Sequence, residues 1–196
     1  MRSTVFALLA AALLGIQLHA FQPSRAPSST ANGLGNIDPR ERDAVALAGY
    51  ALQVPLLAEG LDAACAPSSW LINTILSTAI DATSVHVIAD SRVLAAGGVV
   101  GSGERLPALA EGSSRILSDA LASGQLVYLP DLQILPGKVE FSYLPINCQS
   151  VLVVPLGDAG SLRNVAVVVG TNRAKCFKFN DLNKIRSTVD VFTSLL

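Results

Sequence analysis

Few residues of this 196-residue chain have side chains that could do chemistry. There are two histidines, His19 and His86, and three cysteines, Cys65, Cys148 and Cys176. His19 falls in an N-terminal leader, so His86 stands alone and a cluster of histidine ligands is excluded within one chain. His86 lies among Val85, Val87 and Ile88 and reads as a sheet histidine. Axial ligation of a haem iron by its neutral imidazole is the chemical alternative. The cysteines are odd in number, widely spaced and form no CxxC, so they give no disulfide framework and suit a reducing compartment. Cys148 precedes a strand-like run and Cys176 follows one. The two approach each other if those strands pair, and a thiol nucleophile there needs a depressed pKa, for which neighbouring Lys175 is slight support. Gly-x-Ser-x-Gly is absent, and one usable histidine gives no basis for a hydrolase triad. Gly97–Gly103 is glycine-rich but lacks the spacing of a phosphate-binding fingerprint, and reads as a loop leaving a hairpin.

The most unusual stretch runs from Leu129 to Pro145. Pro130, Pro136 and Pro145, with Gly137 after the second, constrain the backbone. A rigid loop of this kind presents Asp131, Lys138 and Glu140 at defined positions, and binding often resides on such loops. The alternative is that the prolines only route a long crossover.

Several elements must position these residues. Asp38-Pro39-Arg40-Glu41 has a cap, a proline at the first helical position and a capping-box glutamate, and predicts a helix to about Gln53. A second helix fits Pro67 to Ile80, with Trp70, Leu71, Thr74, Ile75 and Thr78 on one side. Ser84–Ala89 and Arg92–Ala96 read as a hairpin turning at Asp90-Ser91. Ser113 or Ser114 starts a helix that Gly124 ends, and Gln125–Leu129 is a short strand. Val151–Val154 and Val165–Val169 are β-branched runs, expected as paired central strands buried on both faces. Leu182, Ile185, Val189 and Phe192 make one stripe on a final helix from about Asn180 to Leu196. The sum is an α+β chain, an antiparallel sheet with helices packed on it.

Composition narrows the function. Hydrophobic residues are 51% and charged residues 15% of the chain, which excludes disorder over most of it. A net charge of -1 and 5% aromatics argue against a nucleic-acid surface. Arg2, the apolar run Val5–Leu14 and the ending Leu18-His19-Ala20 form a signal peptide over residues 1–20. Residues 21–37 follow, rich in serine, carrying Arg25 and free of acid, as in a transit peptide. Together they resemble the bipartite presequence of complex plastids, with plain secretion followed by a linker as the other reading. Residues 38–66 are expected as an N-terminal helical segment and 67–196 as the main domain. Neither of the uncharged stretches 44–58 and 63–80 is an 18-residue apolar run, so no transmembrane helix is expected.

The run LPDLQILPGKVEFSYLPINCQSVLVVPLG, followed by NVAVVVGTNRAKCFKFNDLNKI, resembles the family of B-type subunits for cofactor assembly of complex C. The likeness is strongest over residues 125–196. Its specific part is the loop, with Pro130, Asp131, Pro136, Gly137, Lys138, Glu140, Phe141, Leu144 and Pro145, and then Pro155. The resemblance implies a GAF-like domain with a central antiparallel sheet of about five strands and flanking helices. It implies a stromal plastid role in assembling the cytochrome b6f complex, assisting covalent haem attachment to cytochrome b6. On that reading the loop contacts partners, namely related assembly subunits and cytochrome b6. The chain is then no enzyme, and haem is at most a transient client cofactor. Peripheral thylakoid association and homo- or heterodimer formation are compatible with it. Family members resemble membrane proteins with a transmembrane hairpin ahead of the soluble domain, and no such hairpin is expected here. Two other readings stay open. One is a GAF-like sensor with an apolar small-molecule pocket between the sheet and residues 97–124. The other is a thiol enzyme using Cys148 or Cys176.

Overall fold

The computed structural model describes residues 44–59, 65–79, 81–101, 105–107, 109, 114–133, 136–156 and 164–195. The expected signal and transit segments, and the start of the helix expected from Asp38, lie outside the described residues.

Seven strands form the sheet: β1 Tyr50–Ala51, β2 Leu56–Leu57, β3 Ala82–Ala89, β4 Arg92–Val100, β5 Val127–Leu129, β6 Ser150–Pro155 and β7 Val165–Thr171. Three helices accompany them: α1 Cys65–Thr78, α2 Arg115–Ser123 and α3 Phe179–Leu195. The sheet order is β1-β4-β3-β7-β6-β5, with β2 also paired to β4, and every pairing is antiparallel. The five strands β3 to β7 are those expected, and the class is α+β.

The β-branched runs sit where both faces are covered. Every residue of β6 and β7 is buried, which explains why neither run alternates with polar residues. Fully burying a valine side chain stabilises by about 1.5–3 kcal/mol. On one face, α1 and α3 lay Leu71, Ile72, Ile75, Ile185, Val189 and Phe192 against Val85, Val87, Val167 and Val169. The α3 stripe is as expected. On α1 the buried residues include Ile72, whereas Thr74 and Trp70 are only half-buried. The opposite face carries α2 and the proline loop, with Leu117, Leu132, Phe141, Tyr143 and Leu144 against Ile88, Ala96, Val151, Val153 and Val168.

Local signals set the boundaries. The β3–β4 turn has positive φ at both Asp90 (45°) and Ser91 (59°), the primed geometry whose twist suits a two-residue hairpin. Ser114 caps α2 by accepting from the Leu117 amide at 3.0 Å, and Gly124 ends the helix at φ 64°.

Two expectations fail. The predicted helix over 38–53 is absent from its described part: residues 44–49 are irregular and Tyr50–Ala51 is strand β1. Residues 38–66 are therefore not a helical segment over 44–59. The free edge of β4 recruits this uncharged chain, which β1, β2 and the bonds Leu52 N to Gly98 O and Ala58 N to Leu94 O hold in place. The loop predicted at Gly97–Gly103 is likewise strand as far as Val100. Its glycines admit close approaches. A Cβ on Gly97 would stand 2.3 Å from the Ile72 side chain of α1. Gly98 has φ +78°, and a Cβ there would stand 2.3 Å from the Thr83 carbonyl oxygen.

Candidate functional site: the proline loop and the sheet face beneath it

The loop leaves β5 at Leu129 and returns at Ser150. Its path is fixed by backbone bonds rather than by the prolines alone. The Pro130 carbonyl accepts from the Lys175 amide at 2.7 Å, and the Leu132 amide donates to the Gln149 carbonyl at 2.7 Å. Pro136 and Gly137 open a short 3-10 turn, Pro136–Val139. The Leu144 amide returns to the Phe141 carbonyl, and the Cys148 amide to the Pro145 carbonyl.

The motif residues take different places. Asp131, Phe141, Leu144 and Pro145 are buried, and Pro130 is half-buried. Asp131 Oδ1 accepts from the Gln133 amide at 3.1 Å, which shapes the turn after Pro130. Glu140 reaches α2: its Oε2 accepts from the Ile116 amide at 2.8 Å and from the Ser114 hydroxyl at 3.3 Å. A carboxylate on the first-turn amides of a helix satisfies orphan donors and complements the dipole. Lys138 is exposed and donates to Gln133 Oε1 at 3.3 Å, while Gln133 Nε2 donates to the Cys148 carbonyl. The loop members that reach solvent thus include Lys138, its neighbour Val139 at 81% exposure and Ile146 at 71%.

Beneath the loop lies His86, fully buried in β3 as the strand pattern implied. Burial pulls its pKa down from 6.5 to about 4, so the imidazole is neutral at pH 7. Its Nδ1 is 3.4 Å from Ser84 Oγ, its ring stands edge-on to Tyr143 at 5.6 Å between centroids, and Nε2 has no hydrogen-bond partner. The Tyr143 hydroxyl is likewise unpartnered, and burial raises its pKa further above the phenol range. Haem ligation by His86 would require this loop to leave, because the side chain has no exposed surface.

The two described thiols come to the same end of the sheet but to opposite faces. Cys148 belongs to the core under the loop, and Cys176 to the core under α1 and α3. Between them the Ser150 and Thr171 hydroxyls bond at 2.7 Å, and Cys176 Sγ sits 3.4 Å from Thr171 Oγ1. Both thiols are free and buried. Burial raises the Cys148 pKa to about 11, which leaves about one thiolate in ten thousand at pH 7. Among the described residues no group of three or more His, Cys, Asp or Glu could hold a metal ion.

Tyr143 was not singled out from the sequence, although the Phe141-Ser142-Tyr143-Leu144 run is a signal, since apolar residues clustered in a Pro/Gly loop indicate a plug. Two clefts flank this face. One of about 570 Å³ lies between α2 and the β3–β4 turn, lined by Ile88, Asp90, Leu117 and Leu121 among others. The other, about 310 Å³, is lined by Gly101, Tyr143, Leu144 and Ile146 among others.

An antiparallel sheet with two helices on one face, and a helix with a long ordered loop on the other, is the GAF type of domain. The cyanobacteriochrome receptor PixJ is similar over 70% of this chain and 96% of its own, at 15% identity and a TM-score of 0.51. The GAF domain region of a protein from Geobacter sulfurreducens is similar over 70% of this chain and 97% of its own, at 13% identity and a TM-score of 0.50. At such identities the likeness shows the fold alone.

The chain belongs to the CCB2/CCB4 family of cofactor assembly of complex C, whose model matches residues 4–190. A chloroplastic member from Arabidopsis thaliana, the cofactor assembly of complex C protein CCB4, is 39% identical over 54 residues. That match covers 28% of this chain and 16% of the relative. Among the described residues no helix is long and apolar enough to cross a membrane.

Proposed function

We propose that this protein is a plastid assembly factor for the cytochrome b6f complex, assisting covalent haem attachment to cytochrome b6 through protein contacts on the stromal side. The observation that carries the reading is the family match over residues 4–190. The chloroplastic relative and the acid-free leader support the compartment. The site geometry supports contact over chemistry: a buried thiol held protonated, a neutral enclosed imidazole, and a loop whose carboxylates serve its own fold. The loop's buried members hold its shape, and Lys138, Val139 and Ile146 are the part that meets another molecule. Haem on this reading is at most a transient client cofactor. Related assembly subunits are the protein partners, and dimer formation with one of them fits the reading.

The test is depletion of the protein followed by haem staining of cytochrome b6 on a denaturing gel. Covalent haem survives the gel, so loss of stain is the expected result. Normal stain with normal complex levels would overturn the reading and leave the GAF-type sensor, for which the cleft beside α2 is the place to seek a ligand.

A further inference from the structure

The cleft between α2 and the β3–β4 turn combines apolar lining with two polar walls. Its volume is about 570 Å³, within the range of small-molecule sites. Ile88 and Leu117, both buried, line it together with the partly buried Leu121. The turn wall carries Asp90, Ser91 and Asn164. The helix wall carries Arg115 and Ser118, three residues apart and so on one side of α2. The second cleft, about 310 Å³, has no charged residue among the described ones that line it.

Asp90 is fixed in its wall by two bonds. Its amide donates to the Asn164 carbonyl at 3.3 Å, and its Oδ1 accepts from Asn164 Nδ2 at 3.1 Å. Its Oδ2 makes no hydrogen bond within the described residues. The turn itself holds positive φ at Asp90 and at Ser91. The second position of such a turn favours glycine, so a serine kept there carries backbone strain, and strain of this kind gathers at ligand sites. Across the cleft, Arg115 pairs with Asp119 at 3.7 Å, both exposed, a weak contact from which the guanidinium can turn. Among the described lining residues Asp90 is the one acid and Arg115 the one base. One charge of each sign on facing walls, with apolar side chains between them, complements a molecule bearing an ammonium and a carboxylate on an apolar body. A single amino acid would leave much of about 570 Å³ unfilled, and a dipeptide fills more of it.

We propose that this cleft binds a zwitterion of dipeptide size with an apolar body, its ammonium on the Asp90 carboxylate, its carboxylate on the Arg115 guanidinium, and Leu117 and Leu121 against the body. The site is separate from the proline-loop tips assigned to partner contact, and it does not depend on the assembly role. Binding to the purified chain and haem staining in a depleted line can each fail alone.

The experiment is calorimetric titration of the full chain with leucyl-leucine. Saturable binding with a dissociation constant of about 1 mM or tighter is expected. N-acetyl-leucyl-leucine lacks the ammonium and leucyl-leucinamide lacks the carboxylate, so each should bind at least about tenfold more weakly. Asp90→Asn should weaken leucyl-leucine at least about tenfold and leave the acetylated peptide unchanged, since asparagine tolerates the left-handed turn and keeps an acceptor for Asn164. Arg115→Gln should likewise weaken leucyl-leucine and leave the amide unchanged. Unchanged circular dichroism shows that both variants fold. No saturation of the native chain by about 10 mM leucyl-leucine overturns the proposal. Equal binding of the blocked peptides also overturns it, and makes the cleft a site for neutral apolar molecules. Binding that neither variant weakens overturns it too, and places the dipeptide elsewhere.

Discussion

The sheet is covered by two kinds of structure. On one face α1 and α3 bury Leu71, Ile75, Ile185 and Phe192 against valines of β3 and β7, a contact made by apolar burial. On the other, a loop with little regular structure encloses His86, Tyr143, Asp131 and Cys148 among Leu132, Phe141 and Leu144. The helical face is specified by volume and periodicity, so similar apolar side chains should serve it. The loop face is specified by single bonds, such as Glu140 to the Ile116 amide, and it tolerates unpartnered polar atoms at His86 Nε2 and the Tyr143 hydroxyl. Such atoms cost stability, so the loop face leaves more to be gained from single substitutions than the helical face does.

Substitutions separate the two faces. The largest effect belongs to the helical face: Phe192→Ala should destabilise by about 3–5 kcal/mol, read as a lower urea midpoint at unchanged slope. A loss under about 1 kcal/mol would show that α3 is not anchored as described.

Next in size is a pH effect confined to the loop face. His86 has a folded pKa near 4, below the unfolded 6.5, so the unfolded chain binds the extra proton between those values. Stability is full above the unfolded pKa and falls as pH drops from 6.5 towards 4, by about 3 kcal/mol for this group. Chemical denaturation across that window should therefore be steeper in pH for the native chain than for His86→Gln. Equal slopes would mean that His86 is not held neutral.

Glu140→Ala should cost about 1–2 kcal/mol and loosen α2, seen as faster amide exchange at Ile116 and Leu117. Unchanged exchange would return Glu140 to the pool of free contact residues. The smallest effect reverses sign: Tyr143→Phe removes a buried hydroxyl without a partner and should be neutral or stabilising by up to about 1 kcal/mol. A marked loss would reveal a bond to that hydroxyl and weaken the contrast between the faces.

Much of the helical face was legible because periodicity reports it directly: Leu182, Ile185, Val189 and Phe192 predicted α3, and the valine runs predicted β6 and β7. Ser114 and Gly124 marked α2 for the same local reason. The helix expected from Asp38 failed because its capping signals were local, whereas the unpaired edge of β4 is tertiary. Gly97 and Gly98 misled because glycine marks close backbone approach as readily as a loop. Within the loop, Pro130 and Asp131 announced rigidity. Nothing in their types said that Asp131 and Phe141 turn inward while Val139 turns out, since that depends on what the sheet face leaves to be filled. The positions of Cys148 and Cys176 followed from strand pairing, but their separation by the sheet did not, because one residue of register decides the face.

The central claim is that the protein acts by contact and not by thiol chemistry. The most direct test restores a depleted line with the chain carrying Cys65→Ser, Cys148→Ala and Cys176→Ala, at matched abundance, and reads the haem stain on cytochrome b6. The account predicts that the stain returns to the level given by the native chain. Absent stain with the variant folded and equally abundant would contradict it, and would place a cysteine in the reaction.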